Sequence, residues 1–401
     1  MKLLYIGSYC DKEIFNELNA RKNPFFIAQY SYEYAMCQEF LKEQDMEIDF
    51  VTLYQVEYWP KERLFCYFPK KKDDLCKVLG FINIPFLREI SYSISIIGKI
   101  IKWAIKNRNI KCKCVYSSMH FTPVSIAVVM VTKLFRIKRC ITFTDLSLFT
   151  YSEERIKIMP LYKRAIIRPY IAVTNFLQQS YDGYVLFTEK MTNVVNSHKK
   201  PYCVVEGIYN NHGINLSKTT EKCDAIAYAG TLSSLVGVRN IIDVYKCMHS
   251  SSKLWLMGGG DMEKEIRCLS QENPKVEFFG FLTRKEVFER LKSARLLVIL
   301  RNADDEYTWY SFPSKLFEYM ASGTPVFTTY LQGIPEEYYS YLYSTKEVKI
   351  ERIAQEIMEV LNKSDQELYE MGQRAKKFIL EQKNAVIQSK KIKVFLDTLF
   401  L

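Results

Sequence analysis

Two kinds of hydrophobic run alternate along this chain. The first is short and nearly continuous, as in Lys2-Leu-Leu-Tyr-Ile6, Ile48-Asp-Phe-Val-Thr-Leu53, Ala225-Ile-Ala-Tyr-Ala-Gly230 and Ala294-Arg-Leu-Leu-Val-Ile-Leu300. Runs of this length, closed by Gly or polar residues, predict strands buried on both faces. The second kind repeats at helical spacing, as from Pro24 to about Glu43 and from Arg88 to Arg108. Strand and helix in alternation predict parallel sheets with helices on both sides, an α/β architecture. The 401 residues, 48% of them hydrophobic, suffice for two cores. The polar, turn-rich stretch Asn210-Asn-His-Gly-Ile-Asn-Leu-Ser-Lys-Thr-Thr220 reads as the linker between them. Helices are expected from about Glu351 to Leu361 and from about Ser364 to the end. Val386, Ile387, Ile392, Phe395 and Leu396 are candidate docking residues of the last one.

The 88–108 helix has an apolar side at Ile90, Ile94, Ile97, Ile101 and Trp103 to Ile105, with Lys99, Lys102 and Lys106 among its polar positions. Such a helix either covers a sheet or lies on an anionic membrane, and both readings stay open. Charge sharpens the second. From Lys61 to Arg168 there are 22 Lys and Arg against 7 Asp and Glu, a local +15 in a chain of net +11, and Lys70-Lys-Lys72 lies within it. A basic half beside a slightly acidic half predicts an anionic partner for the N-terminal half. No nucleic-acid-binding motif accompanies it. No apolar run is long enough to cross a bilayer, and the N-terminal run is too short for a signal peptide. The 11 cysteines are scattered, Cys112-x-Cys114 has no second pair, and the four His are dispersed, so reduced thiols and no metal site are expected.

One stretch concentrates the chemistry: Ser311-Phe-Pro-Ser-Lys-Leu-Phe-Glu-Tyr-Met-Ala-Ser-Gly-Thr-Pro-Val326. Ser311 reads as the N-cap of a short helix, Pro313 as its first turn and Gly323 as its left-handed stop. A helix N-terminus after a strand seats phosphate, and Ser314 and Lys315 add a hydroxyl and an ammonium there. Glu318 shares their helix face, one turn below, where a carboxylate can take both hydroxyls of a ribose. Gly230 closes an earlier strand and leaves room for a phosphate against backbone N–H groups. His120 and Asp145 close consecutive strands of the N-terminal half, where ligands gather in open α/β sheets. A His there can bond a sugar or take an acceptor proton. The turn Gly7-Ser-Tyr-Cys-Asp11 lacks a full G-x-G-x-x-G, and Gly258 and Gly260 are weak as a motif.

The 311–326 stretch resembles the signature helix of the glycosyltransferase family 4 enzymes, retaining sugar transferases with the GT-B fold. The resemblance implies two Rossmann-like doubly wound domains facing a cleft. They are expected at 1–212 for the acceptor and 213–380 for the nucleotide sugar, with 381–401 crossing back to the first. It implies the ribose role for Glu318 and a leaving-diphosphate role for Lys315. It implies a cleft His at His120, in a His-x-x-Pro setting with Pro123, and base-site contacts at Gly280, Phe281 and Leu282. Phe312, Ser314, Gly230, Thr231, Arg239 and Arg301 complete the expected donor contacts, and His120 and Asp145 the catalytic ones. The chain departs from the family pattern at four places: Tyr310 and Pro313 stand for its first Glu and its Gly, Thr231 and Val236 for its basic residue and its Lys. Arg239, Arg301 or Lys315 could make up the lost charge.

The expected activity is metal-independent, retaining transfer from a nucleotide-diphosphate sugar, with no further cofactor. The acceptor is a saccharide, lipid-linked in bacterial surface-polysaccharide assembly of the capsule or exopolysaccharide kind. The place is cytoplasmic, peripheral at the inner face of the cell membrane. Two other readings share the pattern: a nucleotide-sugar epimerase, and a non-catalytic glycosyltransferase-like subunit that binds a membrane or a partner enzyme.

Overall fold

A computed structural model describes residues 1–10, 24–53, 58–61, 63–66, 76–85, 87–146, 157, 159–210 and 220–401, the side chains of 24–28, 77, 162 and 166 excepted. The Lys70–Lys72 run, Asp11 of the first turn and nearly all of the 210–220 linker lie outside the described residues. The chain divides into two compact units, residues 1–210 with 385–401, and residues 211–384.

Unit 1 runs β1 (Lys2–Gly7), α1 (Pro24–Phe40), β2 (Glu47–Thr52), β3 (Phe65–Cys66), β4 (Cys76–Val78), β5 (Phe81–Ile82), α2 (Leu87–Lys106), β6 (Lys113–Ser117), α3 (Thr122–Leu134), β7 (Lys138–Phe143), α4 (Leu161–Gln178), β8 (Gly183–Leu186) and β9 (Tyr202–Val204). Seven strands form one parallel sheet in the order β4-β2-β1-β6-β7-β8-β9, and β3 pairs with β5 antiparallel beside it. Strand alternation sorts the core. Leu3, Tyr5, Cys114, Tyr116, Cys140 and Val185 point to one face and pack with Met36, Cys37 and Phe40 of α1. Leu4, Ile6, Val115 and Ile141 are also buried, on the opposite face.

Unit 2 runs β10 (Ala225–Ala229), α5 (Val238–Cys247), β11 (Lys253–Met257), α6 (Glu263–Glu272), β12 (Val276–Gly280), α7 (Arg284–Ser293), β13 (Leu296–Ile299), α8 (Lys315–Ser322), β14 (Val326–Thr329), β15 (Tyr343–Thr345), α9 (Ile350–Leu361) and α10 (Asp365–Gln382). Its six strands are parallel in the order β12-β11-β10-β13-β14-β15. The core joins Ile226, Tyr228, Leu254, Leu256, Leu296 and Val298 to Ile241 of α5 and Ile353 and Ile357 of α9. Two doubly wound parallel-sheet units of this kind make the chain α/β, as its strand–helix alternation predicts.

The terminal helix is not continuous from Ser364. α10 ends at Gln382 and α11 (Ala385–Thr398) begins after a break at Lys383 and Asn384. α11 packs on α1 within unit 1. Ile392, Phe395, Leu396 and Leu399 are buried there, each worth about 1.5–3 kcal/mol in removed apolar surface. Val386 and Ile387 keep roughly half of their surface in solvent, because they lie on the outer side of the same helix.

α2 also differs from its expected face. The sheet-facing stripe is Tyr92, Ile96, Ile100, Trp103 and Ala104, whereas Ile90, Ile94 and Ile105 are exposed. The apolar residues run round most of the helix, so periodicity alone could not choose the buried side. The Trp103 indole fixes it by donating to Asp49 Oδ2 of β2 at 2.9 Å.

Candidate functional site

In unit 2 the strand order reverses between β10 and β13, so their carboxyl ends flank the position where an open α/β sheet holds a ligand. Gly230 follows β10 with φ +140°, and Gly258 follows β11 with φ +124°. These two turns interlock through backbone. Gly230 N–H donates to Met257 O, Gly258 N–H to Gly280 O and Leu232 N–H to Gly259 O, all at 2.8–2.9 Å. A Cβ on Gly258 would sit 1.9 Å from Gly230 O, so only glycine fits there.

α8 rises from the next turn. Leu316 N–H bonds Pro313 O at 2.8 Å, so the first turn starts at Pro313. Ser311 does not cap it. The N-cap is Ser314, itself in a helical conformation, with no side-chain cap and an exposed residue surface. A serine in helical φ/ψ aims its hydroxyl away from the N–H groups it would have to accept, which leaves this helix tip without a side-chain cap. Gly323 closes α8 with φ +78°. The tip is anchored by the buried Tyr319, whose hydroxyl accepts from Ala229 N–H at 2.6 Å and donates to Ala229 O at 3.1 Å.

Two cations meet at this point. The Lys315 ammonium bonds the Tyr228 hydroxyl at 2.5 Å and lies 4.5 Å from the centre of that ring. Its stem fills the space over Gly230, where a Cβ would approach Lys315 Cε to 1.9 Å. The room that glycine leaves is therefore occupied by a lysine. Arg301, one residue past Leu300, is 9% exposed, and its Nη1 has no hydrogen-bond partner among the described residues. Burial, and then the Arg301 charge, pull the Lys315 ammonium down to about 7. Burial also lowers Arg301, against smaller opposing effects of Tyr307 and Tyr228. Tyr307 belongs to the 3-10 turn Glu306–Trp309 and donates its hydroxyl to Leu235 O, tying that turn to the loop after β10. Two enclosed cations with no carboxylate against them among the described residues leave a charge deficit that a bound anion would fill.

The other expected donor residues divide. Glu318, on α8 one turn below Lys315, accepts from Arg284 Nε at 2.7 Å, and both side chains keep about a third or more of their surface in solvent. Gly280 takes φ +62° and Phe281 is largely exposed beside it. Leu282 is half-buried and Thr231 exposed, its carbonyl accepting from the Tyr228 hydroxyl. Phe312 is buried against Phe317 and Tyr338, so it supports the turn rather than lining a surface. Arg239 is not brought to the cations. Both of its Nη atoms are paired with the carboxylate of Glu265 on α6. Tyr310 is nearly buried, and its hydroxyl is raised by burial and by Glu306.

In unit 1 the sheet reverses between β1 and β6. His120 and Asp145, past the ends of β6 and β7, do come together, with His120 Nε2 3.5 Å from Asp145 Oδ1. The ring packs beside Phe143, and its Nδ1 is buried without a partner among the described residues. Sequence reasoning missed Glu33. This α1 carboxylate is fully buried at the same strand ends, where it accepts from Ser8 N–H at 2.5 Å, Ser118 Oγ at 2.7 Å and Gln29 Nε2 at 2.9 Å. Burial raises its pKa and those bonds oppose the rise. Its signal was a lone carboxylate in the aromatic helical run Tyr30-Ser-Tyr-Glu-Tyr34. Tyr228, Tyr307 and Arg284 were missed as well, because they act through contacts distant in sequence.

Known proteins bear on this geometry. Residues 214–378, most of unit 2, match the family model of glycosyl transferases group 1. Among curated proteins no sequence relative is found. Sucrose-phosphate synthase from Thermosynechococcus elongatus superposes over 100% of this chain and 99% of its own at TM-score 0.64 and 13% identity. Anabaena HepE in complex with UDP does so over 99% and 100% at TM-score 0.61 and 13% identity. The lipopolysaccharide outer core galactosyltransferase WaaB covers 99% of each chain at TM-score 0.59 and 11% identity. At such identities the likeness establishes the fold, which is GT-B.

Proposed function

We propose that this protein is a glycosyltransferase that takes its sugar from a nucleotide-diphosphate sugar bound to unit 2. The observation that carries the reading is the pair of enclosed cations, Lys315 and Arg301, at the strand reversal below an uncapped helix tip. A diphosphate supplies the missing charge and takes the free N–H groups. Glu318 receives the ribose hydroxyls, with Arg284 as its holding partner, and the base lies along Gly280, Phe281 and Leu282. The group 1 match over 214–378 supports this assignment, as do the structures of Anabaena HepE in complex with UDP and with UDP-glucose.

Transfer breaks the bond from the sugar C1 to the diphosphate oxygen and forms one from C1 to an acceptor hydroxyl oxygen. The acceptor proton passes to the departing phosphate oxygen, on the same face, so configuration is retained and no strong base is needed. Lys315, Arg301 and the helix tip stabilise the charge that grows on the diphosphate. His120, held by Asp145, orients the acceptor hydroxyl. The acceptor is a saccharide, lipid-linked in surface-polysaccharide synthesis, and no metal is required.

Calorimetric titration with UDP, GDP, ADP and CMP, each with and without EDTA, tests the reading. One nucleoside diphosphate should bind, with EDTA changing nothing. Binding of none would leave a non-catalytic glycosyltransferase-like subunit as the better reading, and loss of activity in EDTA would overturn the metal-free mechanism.

A further inference from the structure

The outer surface of α2, α3 and α4 is apolar where a helical layer is ordinarily polar. α3 packs between the other two. The Thr122 and Thr174 hydroxyls meet at 2.8 Å, and the Lys133 ammonium lies 5.5 Å from the centre of the Phe176 ring. The three outer faces therefore form one continuous surface. α2 has already buried Tyr92, Ile96, Ile100 and Trp103, yet Leu87, Ile90, Ile94 and Ile105 stand outward at helical spacing, Ile94 with 67% of its surface exposed. Beside them Met130 and Leu134 of α3 and Leu161, Val173 and Phe176 of α4 are also exposed, Leu161 at 79%. Single exposed apolar residues are ordinary, but a contiguous patch marks a docking surface.

Charge names the occupant. Lys102, Lys106, Lys133, Lys163 and Arg168 are exposed among these side chains. The only carboxylate carried by the three helices is Glu89, and it is taken by Arg88 and the Tyr58 hydroxyl. A second copy docked through this face would set cation against cation. A folded protein partner would meet charges spread through the middle of its interface, where interfaces are depleted of them. Apolar side chains interleaved with a single sign of charge suit a plane of acyl chains beneath phosphates.

We propose that the outer face of α2, α3 and α4 seats this protein on an anionic phospholipid bilayer, with its isoleucine, leucine and phenylalanine side chains entering the acyl boundary and its lysines on the headgroup phosphates. The proposal stands apart from the donor site and holds whether or not unit 2 binds a nucleotide.

The test is flotation of the full chain with phosphatidylcholine vesicles, with and without phosphatidylglycerol. Two variants accompany it: Ile94→Ser with Phe176→Ser, and Lys133→Glu with Lys163→Glu. All four positions are at the surface, so thermal unfolding should match the parent. The parent should float with the phosphatidylglycerol vesicles, and each variant should bind them at least about tenfold more weakly. The parent's binding should also weaken in 0.5 M salt, a condition that shortens screening to about 4–5 Å. No flotation with anionic vesicles, or unchanged flotation of both variants, would overturn the proposal. So would sedimentation showing a dimer of the parent that the Ile94→Ser, Phe176→Ser chain cannot form.

Discussion

If Lys315 awaits a diphosphate, ligand binding should take up a proton. Burial and then the Arg301 charge pull the ammonium down to about 7 from the 10.5 of an ordinary lysine, disfavouring its charged form by roughly 5 kcal/mol. Tyr228 does not hold the charge in place, because its hydroxyl donates to Thr231 O and its lone pairs accept from an ammonium or a neutral amine alike. The charged group against Lys315 among the described residues is Arg301 past β13, itself a cation, with Tyr307 of the 3-10 turn and Tyr228 beside it. Glu318, on the same helix, is engaged by Arg284. A bound diphosphate that lifts Lys315 by only about two units makes affinity fall roughly 25-fold between pH 7 and 9. In the same case uptake near pH 8 is about 0.8 proton per ligand. Calorimetric titration of the cognate nucleoside diphosphate in two buffers of different ionisation enthalpy reads both quantities, above the second phosphate ionisation near 6.

Lys315→Met should remove the pH dependence and weaken binding at pH 7 by roughly 10–150-fold, the range of one charge-assisted hydrogen bond. The empty protein gives an independent check. Lys315 is depressed in the folded state, so between about 7 and 10.5 the unfolded chain holds a proton that the folded chain lacks. Stability should therefore rise with pH across that window, and Lys315→Met should flatten the rise and increase the unfolding midpoint below it. Affinity that is level from pH 7 to 9 with no proton uptake would refute the reasoning, as would a Lys315→Met chain that binds as the parent does.

Other sites give sharper separations. Glu318→Ala should weaken nucleoside diphosphate binding by roughly 10–150-fold while leaving inorganic pyrophosphate binding unchanged, because only the ribose contacts are lost; equal weakening of both in calorimetry would defeat the ribose assignment. His120→Ala should leave nucleotide affinity at the parent value and reduce turnover by about 10²-fold or more, so a loss of affinity without loss of turnover would contradict its acceptor role. Gly258→Ala should destabilise unit 2 by about 3 kcal/mol or more, since the new methyl meets Gly230 O at 1.9 Å in a conformation alanine avoids; a denaturant midpoint within error of the parent would show that the two turns can separate. Glu33→Gln should cost about 1–3 kcal/mol, because both carboxylate oxygens accept bonds and an amide can accept at only one.

The elements were legible in the sequence because buried parallel strands leave continuous apolar runs. The 311–326 stretch showed its Pro, Ser-Lys and Gly at helix-start and helix-stop spacing, and Gly323 does take the left-handed stop. Ser311 did not become the cap, since Pro313 already begins the turn one residue before Ser314. Periodicity failed on α2 for a physical reason: an isoleucine-rich helix is apolar on both sides, and the side that packs is chosen by Trp103 and Asp49 from another element. The cations show the same limit. Reading along the chain sends Arg239 toward the phosphates, because it follows Gly237 closely. In three dimensions Arg239 meets Glu265 on α6, and the charge at the strand reversal comes from Arg301 and Lys315, which belong to a later strand and its helix. Gly230 links the two accounts. Its missing side chain reads as room for a phosphate, yet that room admits the Lys315 stem. The place of Thr231 and Val236, which carry no charge, is thus compatible with an anion site. The cation reaches over Gly230 from α8, and replacing that glycine would displace the lysine that the proposed chemistry needs.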